Sequence, residues 1–285
     1  MNQVTNTSDA HISGGAQVDA SGAVAVNAAD TLEIDALAGS LAGAGTAAIG
    51  AAVATNNIDD TTQAYLDGSG VTAGSLTLSA TSSATIESLT MAGAGSGTFS
   101  LGGAVEVNSI DDSASAYITD GATTDVGALT LTALDDPSIT AGAGALDAAG
   151  TVAISAGIDT NDIGDTATAY IDGASQVQAA ATTISATKDV NIEAASIGVS
   201  VSADVAVTGA VGVNDTAVIN AHTGSVSIGI VGAGAAIDVS AIRNRTVAEV
   251  GAQTDSGRPS ASPPFTTIRK PMPAVTPPSR PLGRR

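Results

Sequence analysis

Apolar and polar positions alternate along most of this chain. Ser75-Leu76-Thr77-Leu78-Ser79-Ala80-Thr81 and Ala128-Leu129-Thr130-Leu131-Thr132-Ala133 switch character at almost every step. Side chains of a strand point alternately to its two faces. A period of two, with Leu on one face and Thr on the other, therefore predicts strands rather than helices. Asp67-Gly68, Asp172-Gly173, Gly-Gly and Asp-Asp pairs punctuate the alternation. They are read as turns, where a left-handed backbone or a side-chain bond to the main chain is needed.

The strand pattern itself recurs. Asn56-Asn57-Ile58-Asp59-Asp60-Thr61-Thr62-Gln63-Ala64-Tyr65-Leu66 returns as Asn108-Ser109-Ile110-Asp111-Asp112-Ser113-Ala114-Ser115-Ala116-Tyr117-Ile118, and again from Asn161 to Ile171. Fainter copies surround His11 and Val218. The anchors His11, Tyr65, Tyr117, Tyr170 and Val218 lie 54, 52, 53 and 48 residues apart. An aliphatic residue follows each one: Ile12, Leu66, Ile118, Ile171 and Ile219. A second row runs through Ile34, Ile86, Ile139, Ile192 and Val239, with spacings of 52, 53, 53 and 47. Alternation points the aliphatic of each anchor pair inward and the Tyr outward.

Self-similarity at this period decides the architecture. A repeat of roughly 52 residues has room for about five short strands, or for one propeller blade. Blades pack with large aromatics, and this chain holds no Trp, two Phe and three Tyr. The expected fold is all-β: a parallel β-solenoid, or β-helix, of about five such repeats, with like residues stacked about 4.8 Å apart. Each repeat divides equally well into two coils of about 26 residues or three of about 17. Repeat arrays need capping units. Asn2 already occupies the repeat's Asn position, so the chain reads as a piece of a longer array.

Composition narrows the function. Hydrophobic residues make up 44% of the chain, but aromatics only 2%, and there are 33 Gly. That filler suits a thin interior in which backbones lie close together. The lack of Cys excludes thiolate metal sites, disulfides and a cysteine nucleophile. Charge divides the chain into two segments. Residues 1–253 carry 27 acids and 3 bases, a net of -24, and form the predicted solenoid. Residues 254–285 carry 1 acid, 6 bases and 8 of the 9 Pro, and are expected to form a disordered tail. Nucleic-acid binding is disfavoured, because phosphate affinity needs clustered cations. No membrane-spanning run of apolar residues is present, and Met1–Asn6 lacks the features of a signal peptide.

The Asn-x-Ile-Asp-Asp-[Ser/Thr]-x-x-Ala-Tyr-[Ile/Leu] unit is followed by Leu-Thr-Leu-[Ser/Thr]-Ala and by Ala-Gly-Ala-Gly at 42–45, 92–95 and 141–144. It resembles the repeats of very large bacterial surface adhesins, the filamentous-haemagglutinin-like and leukotoxin-like proteins with β-strand repeats. The resemblance covers about residues 1–250. It implies a right-handed β-helical stalk, exported by type V secretion and displayed outside the cell in association with the outer membrane. The expected function is that of a non-catalytic structural and adhesive segment. Its partners would be a host or neighbouring-cell receptor or glycan, together with flanking repeats of a longer parent chain. The alternative is a β-helical protein that binds or degrades polysaccharides.

Few residues carry candidate chemistry. Asp59, Asp60, Asp111 and Asp112 are the candidate ligands for repeat-associated calcium, which takes six to eight oxygens. The glycine-rich nonapeptide of calcium β-rolls and the Asp-x-Asp-x-Asp-Gly loop are both absent, so no cofactor is expected and these acids are read chiefly as turn formers. A glycosidase needs a unique pair of carboxylates in a cleft. Here the acids recur at equivalent positions (Asp35, Glu87, Glu193), Lys188 stands alone, and His11 and His222 fall within the repeat frame. No catalytic residue is assigned.

Overall fold

Alternation persists much further than the turn signals allow. The structure, a computed structural model, describes residues 1–215, 219–241 and 245–250. These residues hold sixteen strands and no helix. None of them therefore forms a helix long and apolar enough to cross a membrane. The 254–285 tail lies outside the described residues, as does Val218.

The chain climbs in wide coils. β1 (Asn2–Ile12), the short β2 (Gln17–Asp19) and β3 (Ala23–Ala44) make the first. β4 (Ala47–Asp67) and β5 (Gly70–Ser96) make the second, and β6 (Phe99–Thr119) opens the third. β7 (Thr123–Asp135) and β8 (Ser138–Ala149) then follow the course of β5, broken where Pro137 withholds a backbone donor. β9 (Val152–Ile163) and β10 (Thr166–Ile171) follow β6 in the same way. β11 (Gln176–Lys188) and β12 (Asn191–Ser202) lie on β7 and β8. β13 (Val205–Asp215), β14 (Ile219–Ile228), β15 (Val231–Ala241) and β16 (Arg245–Val250) complete the described path.

Every pairing is parallel, and the strands form two sheets. β1, β4, β6, β9, β13 and β15 build the first, with β10 and β16 beside them; β2, β3, β5, β7, β8, β11, β12 and β14 build the second. The registers Asn2↔Asn56↔Asn108↔Asn161 advance the chain by one repeat per layer. The architecture is thus the expected parallel β-solenoid, but with one coil per repeat. Two very long strands replace the anticipated five short ones, and coils of 26 or 17 residues do not build the regular array. The Asp-Asp pairs explain the difference. Asp59-Asp60 and Asp111-Asp112 lie within β4 and β6, not in turns. Alternation runs through them without a change of phase, so Asp60 and Asp112 face the interior while Asp59 and Asp111 face outward.

True turns occur at Gly14-Gly15, Gly68, Gly121 and Gly173, all with positive φ. Beside the Gly68 turn the interior is bulky, built from Leu66, Leu76, Leu78 and their stacked equivalents. A polar row follows, then a second aliphatic block around Ile58, Ile86, Ile110 and Ile139. Next comes an asparagine row. Beyond it the interior is lined by small residues, among them Ala52, Ala92, Ala104, Ala143 and glycines, with Ser100, Asp147 and Ser155 also buried there. A Cβ on Gly50 would lie 2.3 Å from the Gly93 carbonyl oxygen, so only glycine allows this approach. In this thin half the larger apolar side chains stand outside: Leu37, Leu41, Ile49 and Val53 are exposed.

Both aliphatic rows exist, and both end differently than expected. Ile12, Leu66, Ile118 and Ile171 align in register, half-buried at Ile12 and buried thereafter. Ile34, Ile86, Ile139 and Ile192 do the same and are all buried. Ile219, however, lies opposite Ile192 and extends the second row; Val250 is the residue opposite Ile171. Val239 belongs to neither row and pairs with Val213. The chain crosses between sheets early after Asp215, so the steps Ile192↔Ile219 and Val205↔Val231 span only 27 and 26 residues. Four full-width coils therefore carry one narrow coil, and the spacing from Tyr170 to Val218 does not mark a fifth copy of the unit.

Candidate functional site

Polar side chains enter the interior in two seams and line the exterior in one row. The outer row is aromatic. His11, Tyr65, Tyr117 and Tyr170 stack with ring centroids 4.8, 4.9 and 5.1 Å apart and planes within 11° of parallel. Strand spacing imposes that distance. Each inner ring presents its faces to its neighbours, leaving only edges and hydroxyls to solvent. Burial within the stack, with its flanking tyrosines, pushes the Tyr117 hydroxyl up to about 12.

The first interior seam is an amide ladder. Asn2 Nδ2 donates to Asn56 Oδ1, Asn56 to Asn108 and Asn108 to Asn161, each at 2.8 Å; Asn161 donates to Asn214 at 2.9 Å. Buried Glu106 and Asp159 lie in register beside it. Burial first, and then the Glu106 carboxylate, push Asp159 up to about 7, while Asn161 draws it down with a 3.0 Å hydrogen bond.

The second seam is acidic. Its first-sheet row is Asn6, Asp60, Asp112 and Asp165; its second-sheet row is Asp30, Ser82, Asp135 and Lys188. At most levels an acid meets at least one donor. Asn6 donates to Asp30. Asp60 Oδ2 accepts from Thr62 at 2.9 Å and from Ser82 at 3.0 Å, while Asp60 Oδ1 has no donor among the described residues. Asp165 Oδ1 accepts the backbone N–H of Asp112 at 2.8 Å, and Lys188 Nζ donates to the backbone carbonyl of Asp165 at 2.8 Å. The third coil differs from these. Asp112 and Asp135 face each other as two carboxylates, and carboxylate oxygens of Asp112, Asp135 and Asp165 all lie within 4.8 Å of one another. The three are at most 3% exposed. Asp112 Oδ1, both Asp135 oxygens and Asp165 Oδ2 have no hydrogen-bond donor among the described residues. Burial, then Asp165 and Asp60, push Asp112 up to about 8. Burial also raises Asp135, with the Asp112 carboxylate adding to it, and Asp165, with the Asp135 carboxylate adding to it; Lys188 partly relieves both.

Only part of this was visible in the sequence. Of the candidate calcium ligands, Asp59 and Asp111 face outward and are exposed, whereas Asp60 and Asp112 are buried. Neighbours on a strand cannot chelate one ion, because they point to opposite sides. Asp112 instead meets Asp165 from the next coil and Asp135 from the facing sheet. The coincidence of Asp112 and Asp165 in the aligned repeats was the available signal. Asp135 and Lys188 carried none, since nothing local places them across from that row. Lys188 is not isolated but reaches into the seam. His11 and His222 are exposed, as expected from the repeat frame, and so are Asp35, Glu87 and Glu193. No family model, curated protein or solved structure matches this chain.

Proposed function

We propose that this chain is a structural and adhesive segment of a bacterial surface filament, presented outside the cell within a longer array of repeats, and that it performs no catalysis. The observation that carries this reading is the one-to-one stacking of four wide coils, in which residues of one kind repeat in register along the axis. Such an array gains its stability from neighbour contacts and extends by adding identical layers. Two further features support a stalk over a polysaccharide-degrading enzyme. The raised carboxylates are sealed inside the solenoid, where no polymer reaches them, whereas a glycosidase needs its pair at a cleft. The tyrosines lie with their faces against one another, which leaves little ring surface for stacking on sugars. The strongly acidic surface keeps neighbouring filaments apart.

The test is to coat beads with the purified chain and to measure attachment to cell surfaces and to a glycan array, while the same preparation is assayed on acidic and neutral polysaccharides. Saturable attachment without new reducing ends is the expected result. Absence of attachment removes the adhesive part of the proposal. Polysaccharide cleavage lost on substitution of a single Asp replaces it with the enzymatic one.

A further inference from the structure

We propose that the interior of the third and fourth coils binds one Ca²⁺ ion between Asp112, Asp135 and Asp165. Three observations meet at this point. First, three carboxylates converge from β6, from β7 and from the break between β9 and β10 onto one buried spot. Second, four of their oxygens find no donor among the described residues, and Asp135 finds none for either oxygen. Buried carboxylate oxygens are ordinarily satisfied, because leaving them bare forfeits their hydration without return. Third, at the two preceding levels of the same seam one of the facing residues is a donor, Asn6 to Asp30 and Ser82 to Asp60, although Asp60 Oδ1 also lacks a donor among the described residues. At the third level both facing residues, Asp112 and Asp135, are acids.

Charge and size specify the ligand. Lys188 is the one cation that the described residues bring to the seam. Three carboxylates against one ammonium leave two negative charges, which a divalent ion cancels. The donors are all oxygen, which selects a hard cation. Ca²⁺ binds oxygens at about 2.3–2.6 Å and so bridges pairs nearly 5 Å apart, matching the 4.8 Å envelope of this cluster; Mg²⁺, at about 2.0–2.1 Å, would require a tighter cage. The Ser82 hydroxyl, 3.4 Å from Asp112 Oδ2, is a further oxygen within the seam. The inference concerns the chain's own interior and is independent of the adhesive reading.

The experiment compares the full chain purified throughout in millimolar Ca²⁺, in millimolar Mg²⁺, or in EDTA. After desalting, bound metal is counted by elemental analysis and thermal unfolding is recorded. One Ca²⁺ per chain and a higher Tm in Ca²⁺ than in EDTA are expected. Asp135→Asn should keep the strand spectrum and lower calcium retention at least about tenfold, because ligand charge sets affinity in such sites. The outward-facing Asp111→Asn should retain one ion. Should Asp135→Asn fail to fold, Asp135→Ser carries the test, since the neighbouring coil folds with Ser82 at that position. No calcium above the blank, Mg²⁺ retained in its place, or equal retention in the Asp135 variant each overturns the proposal.

Discussion

Ile118 and Tyr117 are adjacent, and the solenoid uses them for opposite purposes. Ile118 is fully buried between Leu66 and Ile171, whereas Tyr117 lies outside, stacked between Tyr65 and Tyr170. Ile118→Asp places a charge without a partner in the bulky half of the core, at a cost of several kcal/mol. It should unfold the coils on either side. Tyr117→Ser removes two ring contacts, each worth about 0.5–1.5 kcal/mol, and should leave the fold intact with a lower midpoint in urea. Equal tolerance of the two substitutions would contradict the assignment of faces. The asparagine ladder works by a different rule. Asn56, Asn108 and Asn161 each give a hydrogen to the next coil and take one from the last, so their amides remain paired in the interior.

The strands differ across their length in what they bury. Near the Gly68 turn two sheets are held apart by Leu and Ile; near the opposite edge they are close enough for backbone to meet backbone. Gly50 and Gly103, on adjacent strands, make the comparison direct. A Cβ on Gly50 would collide with the Gly93 carbonyl oxygen, while one on Gly103 would meet nothing within 4 Å. Gly50→Ala should therefore destabilise the chain by about 1–3 kcal/mol through overpacking, and Gly103→Ala should be neutral or slightly stabilising. Chemical denaturation of the two variants side by side checks this. If Gly50→Ala is as stable as Gly103→Ala, the sheets are not in contact there.

For the molecule as a whole, buried acids make stability depend on pH in an unusual direction. Asp147 is pushed up to about 6 by burial, against the pull of the Ala94 and Gly102 backbone amides, and Asp159 is pushed up to about 7 by burial and Glu106. Both bind their protons more tightly in the folded chain than in the unfolded one. Their stabilising contribution is complete below their ordinary value of 3.8 and is lost as pH rises through about 6 and then about 7. Measured in EDTA, Tm should fall from pH 5 to pH 8. Asp159→Asn should flatten that slope and raise stability at pH 8 by a few kcal/mol, the equivalent of about three pKa units at about 1.4 kcal/mol each. A Tm that climbs over this range, or a variant with the slope of the parent, would refute the account.

Alternation, and the recurrence of Tyr-aliphatic pairs, already determined that this chain is all-β, that its strands stack in parallel coils and that Leu66, Ile118 and Ile171 lie inside while the tyrosines lie outside. These are local properties: facing follows from the pleat of a single strand, and stacking from the equality of successive repeats. The width of the coil, the early crossing that moves Ile219 into the row of Ile192, and the meeting of Asp112 with Asp135 and Asp165 were decided only in three dimensions. Each depends on which residues of strands some fifty positions apart come to lie opposite one another, and that is a property of the stacked coils rather than of any one stretch of sequence.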